Sequence, residues 1–164
     1  MIAPFILLFL AKPTGKSLIC GIPFVIVGEV IRLWASGYLT KLSAIVTAGP
    51  FALCRNPIYI GTFFISLGYC VISNRLDLLI IGMLLFWLFH GGAIVYEERL
   101  LRAKFGQEYE DYCESVPRLI PRLRRKPGSG SFSIQQIIYN NEFRGAASTL
   151  LMMGLLVLKA TRFN

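Results

Sequence analysis

Two adjacent carboxylates, Glu97 and Glu98, close one long apolar run of this chain, and the segment Arg55-Asn56-Pro57-Ile58-Tyr59-Ile60-Gly61 opens another. Lipid requires none of these polar groups, so ionisable residues at the ends of such runs are the candidates for chemistry. Pro57 has no amide proton and biases Asn56 away from helix, which predicts an irregular turn at Arg55-Asn56 and a helix beginning behind it. A helix start offers free N–H groups and partial positive charge, and with the Arg55 guanidinium it suits a carboxylate. The plainer reading is a cationic topology anchor followed by an ordinary proline helix start.

Successive residues on a helix point about 100° apart, so Glu97 and Glu98 cannot share one task. Glu98 has Arg102 at i+4, the favourable order for a surface ion pair. Glu97 lies seven residues from His90, on the same helix face, and is expected to look inward. Gly91 and Gly92 beside His90 remove bulk for a neighbouring helix, the commoner use, or for a ligand. A lone histidine in such a place is more often structural than catalytic. Farther on, Tyr109 and Tyr112, followed by the doubly proline-bounded loop from Pro117 to Pro121, supply aromatic walls and backbone donors for a flat heterocycle, or simply pack an interfacial helix.

The elements that position these residues are membrane helices. At 164 residues, 55% apolar and aromatic, with mean hydropathy +0.61, the chain holds more oil than one soluble core of its size can hide. The expected fold is an all-α, polytopic transmembrane helical bundle. It is read as one domain over residues 1–164, with five membrane segments at 1–11, 17–38, 59–72, 78–96 and 146–158 and a charged, cytoplasmic region at 97–145. Residues 1–11 are short for a span, and a signal peptide, the rival reading, lacks a charged leading region and a cleavage site. Ser73-Asn74-Arg75-Leu76-Asp77 makes a tight turn between the third and fourth segments. Leu100, Leu101, Phe105, Tyr109 and Tyr112 recur at helical spacing, which predicts one charged helix from Glu97 to Tyr112, stopped by Pro117 and Pro121. Lys126 to Ser133 reads as a flexible linker. Ser133 to Arg144 reads as an interfacial helix with Ile134, Ile137, Ile138 and Phe143 toward lipid.

Seventeen Lys and Arg face nine Asp and Glu, an excess that serves topology here rather than nucleic acid. Nine of the seventeen lie between Arg99 and Arg144, which places that region and the 37–57 connection on the cytoplasmic side and the Asn74 turn outside. Lys12 and Lys16 then fall outside, against the rule. The cluster Arg122, Arg124, Arg125 and Lys126 is a solvated topology signal or a headgroup contact. Cys20, Cys54, Cys70 and Cys113 have no C-x-x-C spacing, and His90 is the one histidine, so neither a metal site nor a disulfide is expected.

The order of the motifs is more specific than any one of them. GPFALCRNPIYIG, an apolar hairpin, then YEERLLRAKFGQEYEDYCESVPRLIP resembles the integral membrane methyltransferases, bacterial type, a group that includes isoprenylcysteine carboxyl methyltransferases and phospholipid N-methyltransferases. The group's marks are R-H-P-x-Y-x-G, E-E-x-x-L and F-G-x-x-Y-x-x-Y-x-x-x-V-P. The resemblance implies S-adenosylmethionine bound on the cytoplasmic side of a multi-pass protein of the cell inner membrane or an equivalent one. By position, Arg55, Asn56, Pro57 and Tyr59 would line the cofactor pocket and Glu97 and Glu98 would bind polar groups. Tyr109, Tyr112, Val116, Ile120 and Pro121 would then enclose the adenosine. Asn56 stands where the family has histidine and cannot charge near neutral pH. No glycine-rich Rossmann signature follows a strand.

The resemblance further implies methyl transfer to a lipophilic acceptor from the bilayer, with membrane lipids as partners and no nucleic acid or obligatory protein partner. Glu98, Arg118 and His90 are its candidate catalytic residues. A carboxylate acceptor needs no base. An amine acceptor must be neutral, and Glu97, Glu98 or His90 is placed to take its proton. Arg118 suits an anionic acceptor or a headgroup. Two other readings remain open: an NADPH-dependent reductase of the sterol-reductase type, and a non-enzymatic helical scaffold.

Overall fold

The computed structural model describes residues 3–40, 44–122 and 128–162, with side chains from Ile6 onward. Arg124, Arg125 and Lys126 of the basic cluster, and the first two residues of the expected linker, lie outside the described residues.

Every described regular element is helical: α1 (Ala3–Leu10), α2 (Gly15–Tyr38), a single 3-10 turn (Gly49–Ala52), α3 (Pro57–Ile72), α4 (Leu76–Phe105), α5 (Gln107–Ser115), α6 (Ile134–Tyr139) and α7 (Glu142–Arg162). Three of them, α2, α4 and α7, are long and apolar enough to cross a membrane. This corrects the expected five spans. The 16 residues of α3 rise about 24 Å and the eight of α1 about half that, against a hydrocarbon layer of about 30 Å. The polytopic, all-α architecture stands, and the chain is a multi-pass membrane protein.

Antiparallel α2 and α3 form the central pair, and their contact is built on two glycine couples. A Cβ added to Gly28 would fall 2.5 Å from the Gly61 carbonyl oxygen, and one added to Gly21 would fall 2.7 Å from that of Gly68. Each couple is seven residues from the next, two helical turns, so both lie on one seam where backbone touches backbone. Gly91 and Gly92 behave differently: among the described residues a Cβ at either meets nothing within 4 Å, so no described helix packs on them. Thr14 and Ser17 form a reciprocal capping box that starts α2.

Three local expectations change. The charged helix after Glu97 is broken at Gly106, whose φ of +54° lets the chain turn between α4 and α5, and the Arg102–Glu110 ion pair (2.8 Å) spans the break. The segment from Gly128 to Ser133, expected to be flexible, is docked. Thr47 and Ala48 donate their backbone N–H groups to the Ser129 carbonyl, and Phe132 packs edge-on against Tyr38. The interfacial helix stops at Tyr139, because Asn141 takes a positive φ of 59° and α7 begins at Glu142. Ile134, Ile138 and Phe143 are exposed as expected, but Ile137 is buried.

Glu142 at the start of α7 pairs with Arg32, and Lys159 near its end reaches the Leu8 and Phe9 carbonyls of α1. The ends of α2 and α4 and the starts of α3 and α7 therefore gather at one end of the bundle. That end holds the candidate site.

Candidate functional site

Glu98 is the centre of a buried polar hub. Its side chain is 1% exposed and sits between two guanidinium groups, Arg55 Nε at 3.3 Å from Oε1 and Arg118 Nη2 at 2.8 Å from Oε2. Asn56 Nδ2 donates to Glu98 Oε1 at 3.0 Å and to the Arg118 carbonyl at 3.2 Å. Arg55 Nη1 donates to the carbonyls of Cys113 and Val116, both at 2.9 Å. Backbone bonds from Arg55 N to Pro117 O and from Arg122 N to Leu53 O lay the proline loop along the turn. A buried carboxylate is tolerated because its lone pairs are met by charged and neutral donors together.

This arrangement reverses the expected role of Glu98. Arg102, its expected surface partner, is taken by Glu110, and Glu98 sits one turn beyond buried Ile94 on the inward face of α4. Glu97 is on the His90 face, as its spacing predicts, but that face borders an open hollow, so Glu97 is exposed. Asn56 does not cap α3 with its side chain; the amide is spent on Glu98 and the loop. An uncharged double donor fills this place, and nothing in its contacts calls for imidazolium.

Beside the hub lies a cavity of about 530 Å³, within the usual range for small-molecule sites. Arg55, Asn56, Pro57 and Tyr59 form one wall, and Phe89, His90, Ala93, Glu97 and Leu101, nearly every fourth residue of α4, form the facing one. Arg32 and Thr62 close it toward the membrane, with Arg32 Nη1 donating to Thr62 Oγ1 at 2.8 Å. Tyr59 and Glu97 face each other across the hollow. Pro57 opens α3, and the next amides, Ile58 and Tyr59, precede the first helical bond, which Ile60 donates to Asn56. His90 is fixed on three sides: Nδ1 lies 3.1 Å from the Phe86 carbonyl, the ring stacks on Phe86 at 4.4 Å, and Tyr59 meets it edge-on. Nδ1 against a carbonyl carries the proton, which leaves Nε2 as an acceptor in the neutral ring.

A second, apolar groove of about 300 Å³ runs along α4 between α1, α3 and α7, from Leu78 to His90. Phe89 and His90 border both hollows. The two meet there, one polar and one greasy.

The remaining predicted residues lie elsewhere. Tyr109, Tyr112 and Val116 pack with Ile45 into a core of their own behind the hub, and Tyr112 donates its hydroxyl to the Phe51 carbonyl at 2.7 Å. Burial, and then the Glu98 charge, pushes the Tyr109 phenol upward, so it stays protonated. Ile120 is 82% exposed and Pro121 is exposed with it. The residues that sequence reasoning missed are Arg32 and Thr62. Arg32 carried a signal, since a cation inside a membrane helix marks a site by default.

Cys54, next to the turn, reports on its seating. Its thiol is buried, and burial pushes it from the ordinary 9.0 up to about 11, against a smaller lowering by the Asn56 backbone. A raised folded value means that its contribution to stability is complete below pH 9 and lost as pH rises through about 11. Cys54 is therefore expected to resist maleimide at pH 8 in the folded protein while half-buried Cys113 reacts, and both should react after denaturation. Rapid labelling of folded Cys54, followed by peptide mass spectrometry, would show the turn unseated.

Residues 17–108 match the profile of the phospholipid methyltransferase family. The chain is 33% identical over 112 residues, 67% of its length and 52% of the relative's, to the nickel-cobalt-cadmium resistance protein NccN of Alcaligenes xylosoxydans xylosoxydans. It is 29% identical to the cobalt-zinc-cadmium resistance protein CzcN of Cupriavidus metallidurans, over 77% of this chain and 57% of that one. It is also 35% identical to the protein-S-isoprenylcysteine O-methyltransferase of Schizosaccharomyces pombe, over 48% of this chain and 34% of the relative. The chain spans little more than half the length of the first two relatives and about a third of the last.

Proposed function

The chain belongs to the phospholipid methyltransferase family, and from that premise we propose that it transfers a methyl group from S-adenosylmethionine to a lipophilic acceptor drawn from the bilayer, on the cytoplasmic side. The observation that carries the proposal is the meeting of the two hollows at Phe89 and His90. A polar cavity of about 530 Å³ takes a nucleoside-sized group, and the groove admits a hydrocarbon chain sideways from lipid.

The residues present fit the cofactor. Free amides at the start of α3 suit its carboxylate, Glu97 with Tyr59 suits its ammonium or ribose hydroxyls, and Phe51, Leu39 and Leu101 supply apolar lining. Glu98 and Arg118 act behind the wall and Arg55 within it, holding turn and loop together, while Tyr109, Tyr112 and Val116 support that hub from behind. Ile120 and Pro121 sit at the open edge of the same loop. When bound, S-adenosylmethionine supplies a methyl group already activated on sulfonium, so the protein's work is alignment and exclusion of water.

His90 carries the proton step. Its Nε2 accepts at the seam between the hollows, and an acceptor that must lose a proton, an amine, has use for it; a carboxylate does not. The family's phospholipid amine is therefore the leading acceptor class. The relatives named for isoprenylcysteine make the prenylated carboxylate the second.

Thermal unfolding of the purified protein in detergent tests the cofactor. S-adenosylmethionine at 100 times its dissociation constant is expected to stabilise by about 2.7 kcal/mol. Stabilisation by NADPH in its place would make the chain a reductase, and by neither a scaffold. His90→Gln is expected to keep the stabilisation and lower labelled methyl transfer into phosphatidylethanolamine by about a hundredfold. Full transfer by that variant would remove His90 from the mechanism.

A further inference from the structure

The end of the bundle opposite the methyl-transfer site is basic. Lys12, Lys16, Arg75, Lys159 and Arg162 lie there, with Asp77 as the acid among the described residues. Three of the cations, Lys12, Arg75 and Lys159, border one cavity of about 570 Å³, and no carboxylate is among its described lining residues. Arg75 is neutralised by its ion pair with Asp77. Lys159 Nζ donates to the Leu8 and Phe9 carbonyls, both at 2.7 Å, which uses two of its three protons and none of its charge against an acid. Lys12 is exposed, with no ion pair among the described residues.

Two more observations converge on the same hollow. Thr14, on its wall, caps the 24-residue α2, so the leading amides and positive end of that helix face this end of the bundle. Phe9, 82% exposed, and Leu10 flank it with apolar surface on α1. A soluble anion has no use for that apolar edge, whereas a lipid has a chain to lay on it.

We propose that this cavity binds the phosphate of an anionic phospholipid headgroup at the membrane face opposite the methyl-transfer site. The cations that break the positive-inside pattern, Lys12 among them, then serve a ligand. The site neither supplies nor consumes the methyl acceptor, so it stands whether or not the chain proves to be a methyltransferase.

Native mass spectrometry of the full chain in neutral detergent tests it, with titrations of phosphatidylglycerol, phosphatidylcholine and inorganic phosphate. Phosphatidylglycerol is expected to bind about 25-fold tighter than phosphatidylcholine, the combined weight of two uncompensated cations near a headgroup, and about fivefold weaker to Lys12→Gln. Lys12 makes no side-chain contact on which the described fold depends, so this variant folds. Arg122→Gln at the other end is expected to bind as the parent does. Equal retention of the two lipids, or undiminished binding by Lys12→Gln, would overturn the site. Displacement of phosphatidylglycerol by equimolar inorganic phosphate would overturn its assignment to lipid.

Discussion

Glu98→Ala is expected to destabilise the folded protein by about 3 kcal/mol and to abolish stabilisation by S-adenosylmethionine. Removing one member of a buried ion pair strands its partner, and here two partners are left. They are not equal. Arg118 has 47% of its side chain exposed and can turn to water, whereas Arg55 is 9% exposed and tied by Nη1 to two carbonyls. The expected cost therefore lies at the lower end of the range for a buried pair. In a domain of this length that is roughly 6–12 °C in melting temperature. Asn56 also loses its acceptor at 3.0 Å, and with it the link between the turn and the Arg118 loop. Arg118→Ala separates the contributions: it leaves the Arg55–Glu98 contact intact and is expected to cost less than half as much. A melting temperature unchanged in Glu98→Ala would mean that the hub does not hold the site together.

Gly28→Ala and Gly154→Ala are expected to move stability in opposite directions. Alanine in place of glycine inside a helix is worth about 1 kcal/mol from backbone propensity alone. At Gly154 a Cβ meets nothing within 4 Å, so that gain is kept. At Gly28 the Cβ would sit 2.5 Å from the Gly61 carbonyl oxygen and 2.8 Å from the Ile65 amide nitrogen, both backbone atoms that cannot swing aside. The helices must part, and overpacking of this kind costs about 3 kcal/mol net of the propensity gain. Parting α2 from α3 also pulls Arg32 from Thr62, so the cavity loses its membrane-side closure along with the seam. Thermal unfolding of the two variants side by side checks this; stabilisation by both would mean that the glycine seam is not closed.

Much of the site was legible because its logic is local. A proline after Asn56 dictates where α3 starts, and a polar pair after an apolar run dictates where a membrane helix emerges, whatever the rest of the chain does. The spacing that put Glu97 on the His90 face was equally local, and both residues border the cavity. The choice between the two glutamates was not. The i+4 arginine gave Glu98 an ordinary partner on paper, but Glu110, brought back by the turn at Gly106, takes that arginine instead. Tyr109 and Tyr112 show the same limit, since an aromatic pair at helical spacing serves a ligand wall or a core equally well until Ile45 arrives from 64 residues before Tyr109 to cover them.

By itself the sequence determined an all-helical membrane chain, the helix start at Pro57, the twin glutamates where the apolar run of α4 stops and the order of motifs that carries the family. Hydropathy, proline geometry and helical period are properties of neighbours in the chain. Tertiary structure alone decided that Glu98 is the buried one, that the Gly21–Gly68 and Gly28–Gly61 couples close the α2–α3 seam, and that a polar and an apolar hollow share His90. Each of those depends on which groups compete for one partner or one space, and that competition is settled only when distant segments meet.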